Sequence, residues 1–158
     1  MKLMDYTTEA ALLPRQVCSD LGQAVKRLSH AMMRAGLVGD AESLANDVLR
    51  RESEGGTALP EGLALAHARS DAATRIGLAA ATLTRPVAAR TPDGELTEVD
   101  VVVLLVGPPA EYRAVLRALA RLVRAVRSGG LATGLRAARD RRQLARAIID
   151  ADRQPGGS

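Results

Sequence analysis

At 158 residues the chain fits one folded domain, which buries roughly two thirds of the surface its unfolded form exposes. One cysteine and no tryptophan or phenylalanine exclude an internal disulfide and a cysteine-rich zinc site, and argue against single-strand recognition by aromatic stacking. The net charge of +4 is uneven, since residues 112–158 hold eleven Arg against three Asp and so carry +8; this reads as solvated helix faces rather than a nucleic-acid surface.

The N-terminus has no sustained apolar segment, and the longest apolar run, 99–107, is interrupted by Asp100. It falls far short of the ~20 residues that span a bilayer. No membrane insertion is expected, and the lone thiol suggests a reducing, cytoplasmic setting.

Ser19 and Asp20 are good N-cap residues, and Leu21, Val25, Leu28, Met32 and Met33 follow at helical spacing until Gly36. His30 lies within this helix and lacks the neighbours a metal site would need. Asp40 opens a second helix with Leu44, Val48 and Leu49 inward, which ends at Glu54-Gly55-Gly56, where a left-handed glycine is expected. Apolar stretches at 63–67, 76–83 and 99–106 read as strands, separated by turn signals at Ser70-Asp71, Thr84-Arg85-Pro86 and Pro92-Asp93-Gly94.

The consecutive valines and leucines of 99–106 imply a strand covered on both faces. The expected class is therefore α/β, a small mixed sheet flanked by helices on both faces. After Pro108-Pro109 a long amphipathic helix carries Val115, Leu116, Leu119, Leu122, Val123 and Val126 on one side and Arg113, Arg117, Arg121, Arg124 and Arg127 on the other. A short helix at 131–138 and a last one at 140–150 complete a single domain of residues 1–150, with 151–158 as a flexible tail.

Chemistry concentrates in Arg51-Glu52, Thr57 and the stretch Gly62-Leu63-Ala64-Leu65-Ala66-His67-Ala68-Arg69-Ser70-Asp71, followed by Leu116 and Leu119 in the long helix. This order resembles the fructose and mannitol (type 2) enzyme IIA domains of the bacterial sugar phosphotransferase system, including their nitrogen-regulatory relatives. In that family an Arg-Glu pair, a threonine and a Gly-Ile-Ala-Ile-Pro-His element occur in sequence, and the histidine accepts phosphate at a strand's end. The resemblance covers nearly the whole chain.

The resemblance implies that His67 accepts a phosphoryl group from the phosphocarrier HPr and passes it to an enzyme IIB, with no bound cofactor and no metal. A phosphate-accepting imidazole needs one nitrogen free and the other held in a fixed tautomer, with a cation nearby for the equatorial oxygens. Arg51 occupies the place of the family's motif arginine; it also reads as an ordinary cation at a helix C-terminus. Arg69, Ser70 and Thr57 are further candidate phosphate contacts.

The chain departs from the family pattern twice. Ala66 replaces the usual proline before the histidine. Tyr112 stands where many members carry a second histidine; it either donates an O–H to phosphate or packs its ring with the hydroxyl in water. Two readings follow: a phosphoryl carrier, or a regulatory interaction module of the same fold with weakened or lost phosphotransfer.

Overall fold

The computed structural model describes residues 1–153. Strands β1 (Leu12–Gln16), β2 (Ala58–Leu59), β3 (Leu63–Arg69), β4 (Gly77–Arg90) and β5 (Leu96–Gly107) form one sheet in the order β1-β4-β5-β3-β2. The sheet is mixed: β1 with β4 and β3 with β5 are parallel, while β4–β5 and β2–β3 are antiparallel. Helices α1 (Leu21–Arg34) and α2 (Ala41–Glu54) precede β2, and α3 (Tyr112–Arg127), α4 (Leu131–Ala137) and α5 (Arg141–Asp152) follow β5. This is the α/β arrangement expected from the apolar runs.

Alternation along β5 divides the interior in two. Val102, Leu104 and Val106 join the cluster that contains Val25, Leu28 and Met32 of α1 and Leu44 and Val48 of α2. Val101, Val103 and Leu105 join Leu122 of α3, Leu135 of α4, and Leu144 and Ile148 of α5. On the first face the neighbouring strands contribute Ala64, Ala66, Ala68, Ala79 and Ala81. Small side chains there let α1 lie close to the sheet, and a Cβ at Gly77 would meet Met32 Cε at 2.7 Å.

The helix ends follow the capping chemistry read from the sequence. Asp20, Asp40 and Asp140 each accept a hydrogen bond from the backbone N–H three residues on, at Gln23, Ser43 and Gln143. Gly36, at φ 77°, stops α1, with Leu37 N–H donating to Met32 O and Gly36 N–H to Met33 O.

Four features differ from the sequence expectations. Thr84-Arg85-Pro86 is not a turn between elements: β4 runs through it, and the register shifts between Thr82 and Val87. These three residues are exposed in a bulge, where a proline displaces no ladder hydrogen bond. Gly55 is extended at φ 177°, so the end of α2 needs no left-handed glycine. Gly56 is required instead for close approach, because a Cβ there would lie 2.0 Å from Arg90 O.

The edge strands β1 and β2 carry too little pattern to stand out. Pro14 interrupts β1, and β2 is two residues long. Finally, α5 extends to Asp152, into the stretch expected to be tail. Asp152 accepts from the Leu3 N–H and pairs with Arg121, and that hydrogen bond holds the Arg121 guanidinium's pKa above its ordinary value. The expected tail segment 154–158 lies outside the described residues.

Backbone at Arg90 and Thr91 cannot yield to a new methyl group as a side chain could. Gly56→Ala is therefore expected to lower the free energy of unfolding by about 2 kcal/mol or more, read from urea denaturation followed by circular dichroism. An unchanged midpoint would show that the two segments separate without cost.

Candidate functional site

The site forms where the sheet edge is left open. β2 pairs only with Leu63 and Ala64 of β3, and beyond Leu65 the sheet continues from β3 on one side alone, to β5, in the register His67↔Leu105 to Arg69↔Gly107. Leu65 N–H donates outward to Thr57 O. Residues two apart on a strand share an orientation, so the N–H groups of His67 and Arg69 face the same open edge. The strand does not end at His67, as expected; it continues to Arg69, which fixes the backbone on both sides of the histidine.

By the same alternation His67 shares a face with Leu63 and Leu65, the side covered by α3, α4 and α5. Its Nδ1 lies 3.1 Å from Leu65 O. A carbonyl oxygen can only accept, so in the neutral ring Nδ1 carries the proton and Nε2 the lone pair. The half-buried ring thus has one nitrogen anchored by its own strand and the other available for chemistry.

His67 opens into a recess of about 190 Å³ shared with Arg51, Arg69 and Tyr112. Val115, Leu116 and Leu119 of α3 supply its apolar wall. Arg51 reaches the recess from the last turn of α2, where its Nη1 donates to Gly55 O at 3.2 Å. The Arg69 guanidinium lies over the Tyr112 ring, 4.3 Å from the centroid, a cation–π contact. Tyr112 is the first residue of α3, and with Val115, Leu116 and Leu119 it lies on the helix face that borders the recess. No carboxylate lines it.

Thr57 and Ser70 fall outside this recess and spend their hydroxyls elsewhere. Thr57 donates from Oγ1 to Glu52 Oε1 at 2.8 Å and from its N–H to Oε2 at 3.0 Å. Ser70 is 2% exposed; its hydroxyl donates to Asp47 and accepts from the Ala72 N–H. Glu52 therefore ties α2 to the residue that leads into β2, and Asp47 ties it to the residue that follows β3. The sequence reading assigned Glu52 only to a motif and overlooked Asp47, because a buckle between distant elements leaves no local spacing.

The recess therefore sets one histidine ring beside two guanidinium groups and an apolar wall on an α/β scaffold. The family described as "Phosphoenolpyruvate-dependent sugar phosphotransferase system, EIIA 2" matches residues 6–151, and the chain belongs to it. It is 35% identical over 141 residues to a nitrogen regulatory protein of Bradyrhizobium diazoefficiens, covering 89% of this chain and 90% of that one.

The chain is also 36% identical over 111 residues to the 2-O-alpha-mannosyl-D-glycerate-specific EIIABC component of Escherichia coli, where the match covers 70% of this chain but only 17% of the relative. The structure of the Escherichia coli complex of enzyme IIA-Mtl with phosphorylated enzyme IIB-Mtl is similar in fold, with a TM-score of 0.69 at 14% identity, covering 89% of this chain and 94% of that one.

Among the described residues no group of His, Cys, Asp and Glu is placed to hold a metal ion, and no helix is long and apolar enough to cross a membrane. Cys18 is buried away from the recess, and burial pushes its thiol pKa up, toward the unreactive form.

Long-range ¹H–¹⁵N correlation spectra should show the neutral His67 ring protonated at Nδ1, with Nε2 bare. The opposite tautomer would mean that the Leu65 carbonyl does not hold the ring in solution.

Proposed function

We propose that the protein is a phosphoryl carrier whose acceptor atom is Nε2 of His67. The observation that carries this reading is the anchored imidazole, with Nδ1–H on Leu65 O, opening into a carboxylate-free recess with Arg51 and Arg69. The donor would be the phosphohistidine of an HPr-like carrier. The Nε2 lone pair attacks phosphorus, the N–P bond to the donor ring breaks, and its electron pair returns to the donor nitrogen. The phosphorylated His67 keeps its Nδ1 proton, and the Leu65 carbonyl stabilises the positive charge this places on the ring.

Onward transfer to an enzyme IIB would run through attack by a cysteine thiolate on the same phosphorus, with the N–P electron pair returning to Nε2. The similarity in fold to the IIA component of a complex with phosphorylated enzyme IIB supports this direction. Partners would dock around Tyr112 and Leu116, which are 42% and 44% exposed. Leu116 and Leu119 would help exclude water from the phosphohistidine.

In this reading Arg51 and Arg69 neutralise the equatorial oxygens of the transferring group, and the outward N–H groups of His67 and Arg69 add donors. Tyr112 acts as a platform: its ring holds the Arg69 guanidinium beside His67. The place that many relatives fill with a second histidine is then served by a borrowed cation. Thr57 and Ser70 are positioning residues: Thr57, whose carbonyl takes the Leu65 N–H, and Ser70, which follows β3, are both held to α2.

A regulatory module is the second reading, favoured by the match to a nitrogen regulatory protein along nearly the full length of both chains. In that role the phosphorylation state of His67 would set partner binding. Intact-mass analysis after incubation with phosphoenolpyruvate, enzyme I and HPr tests phosphoryl acceptance, and later addition of an enzyme IIB separates a carrier, which passes the adduct on, from a regulator, which retains it. One acid-labile phosphoryl adduct, absent from His67→Ala, is expected; no adduct on the natural protein but one on Tyr112→His would mean a scaffold whose relay is switched off. No adduct on either would sink phosphotransfer from these partners.

Rates of adduct formation test the supporting groups. Arg51→Ala should slow phosphorylation by about 10- to 100-fold, the loss of a charge-assisted hydrogen bond. Tyr112→Phe keeps the ring and should retain the natural rate. Tyr112→Ala should slow transfer by about 2- to 30-fold, the weight of a cation–π contact, and should add little to Arg69→Gln. A slow Tyr112→Phe would instead assign the role to the hydroxyl.

A further inference from the structure

We propose that a second, separate groove, between α1 and the start of α5, binds a small anion that carries adjacent phosphate groups, such as an oligophosphate or the polyphosphate chain of a nucleotide. Lys26, Arg27, His30 and Arg34 line it from α1, and Arg141 faces them from the first turn of α5. The α1 positions recur at the three- and four-residue spacing that places them on one helix face. Leu13 and Gln16 of the edge strand β1 form its floor, and its volume is about 530 Å³, within the ~300–1,000 Å³ of small-ligand sites.

No carboxylate lines this groove. Among the described residues none of the ion pairs includes Lys26, Arg27, Arg34 or Arg141. The nearest acids in sequence, Asp20 and Asp140, accept from the Gln23 and Gln143 N–H groups at their helix starts and stay outside the lining. Four permanent cations on facing helices repel one another, and a bound polyanion would relieve that repulsion.

The half-buried Arg27 makes only a long contact to Gln16, with Nη1 to Oε1 at 3.4 Å. Most of its donors therefore remain free for paired phosphate oxygens. Gln23 adds a neutral side chain to the lining. Recognition would rest mainly on charge, since no Phe, Tyr or Trp lines the groove.

The groove sits at the β1 edge of the sheet, opposite the β3–β2 edge where His67 lies. The two sites can therefore be occupied independently. A short open groove between β1, α1 and α5 suits a compact ligand better than a nucleic-acid duplex, which needs an extended surface. The Arg face of α3 is a different part of the molecule.

The test is calorimetric titration and amide-shift mapping of the full chain with inorganic triphosphate at physiological ionic strength, with orthophosphate for comparison. Saturable binding with shifts along α1 and at Arg141, weaker for orthophosphate, is expected. The doubly substituted Arg27→Gln, Arg34→Gln protein should bind at least about tenfold more weakly, as loss of a charge-assisted hydrogen bond implies. An Arg124→Gln, Arg127→Gln control on α3 should bind as the natural protein does.

Adenosine triphosphate tighter than triphosphate would identify a nucleotide as the source; equal affinity would identify the phosphate chain alone. The proposal is overturned by absence of saturable shifts in the groove, by equal weakening in the α3 control, or by a random-sequence duplex that occupies the groove more tightly than triphosphate.

Discussion

Parallel pairing of β3 with β5, inside a sheet covered on both faces, is the constraint from which the site follows. Each Val and Leu of β5 between residues 101 and 106 is at most 1% exposed, and burial of such a side chain is worth roughly 1.5–3 kcal/mol. Slipping the pairing by one residue would turn both faces of β3 over and expose its apolar set. The position and facing of His67 are therefore determined by the hydrophobic core as a whole. The hydrogen bond from Nδ1 to Leu65 O adds the last degree of order, because the acceptor belongs to the same rigid strand.

An open sheet edge is normally a liability, since unpaired N–H and C=O groups invite another strand. Here the short β2 uncovers β3 only where the site needs access. The uncovered stretch is flanked by the end of α2, which brings Arg51, and by the beginning of α3, which brings Tyr112. The Arg69 side chain, folded onto Tyr112, puts bulk and charge beside that edge. Both discourage strand addition, so the groups suited to anion chemistry also protect the sheet.

The central elements were legible in the sequence because they follow strong local rules. Aspartate caps and 3.6-residue periodicity marked α1, α2 and α5, and the unbroken apolar run of β5 announced helices on both faces of the sheet. The edges were not legible. Pro14 in β1 and the brevity of β2 erased their patterns, and the bulge at Thr84-Arg85-Pro86 wrote a turn signal inside a continuous strand.

The candidate site divides similarly. His67, Arg51 and Tyr112 could be singled out by order along the chain, and the structure brings them together with Arg69. Glu52 engages Thr57 only five residues away, but the hold of Asp47 on Ser70 depends on how α2 lies against β3, which no local spacing encodes.

The Arg69–Tyr112 stack changes what kind of charge the recess carries. A histidine in the position of Tyr112 would contribute a charge that varies over the physiological pH range. A guanidinium held on a phenol ring stays cationic throughout that range and offers several donors in a fixed plane. Its place, however, depends on a contact worth only ~0.5–2 kcal/mol, and both partners are exposed at the surface. A docking protein that covers Tyr112 would therefore strengthen the stack by excluding water from it, or break it by taking the ring for itself. Under the proposed docking, partner contact and the electrostatics around His67 would thereby be coupled through one aromatic side chain.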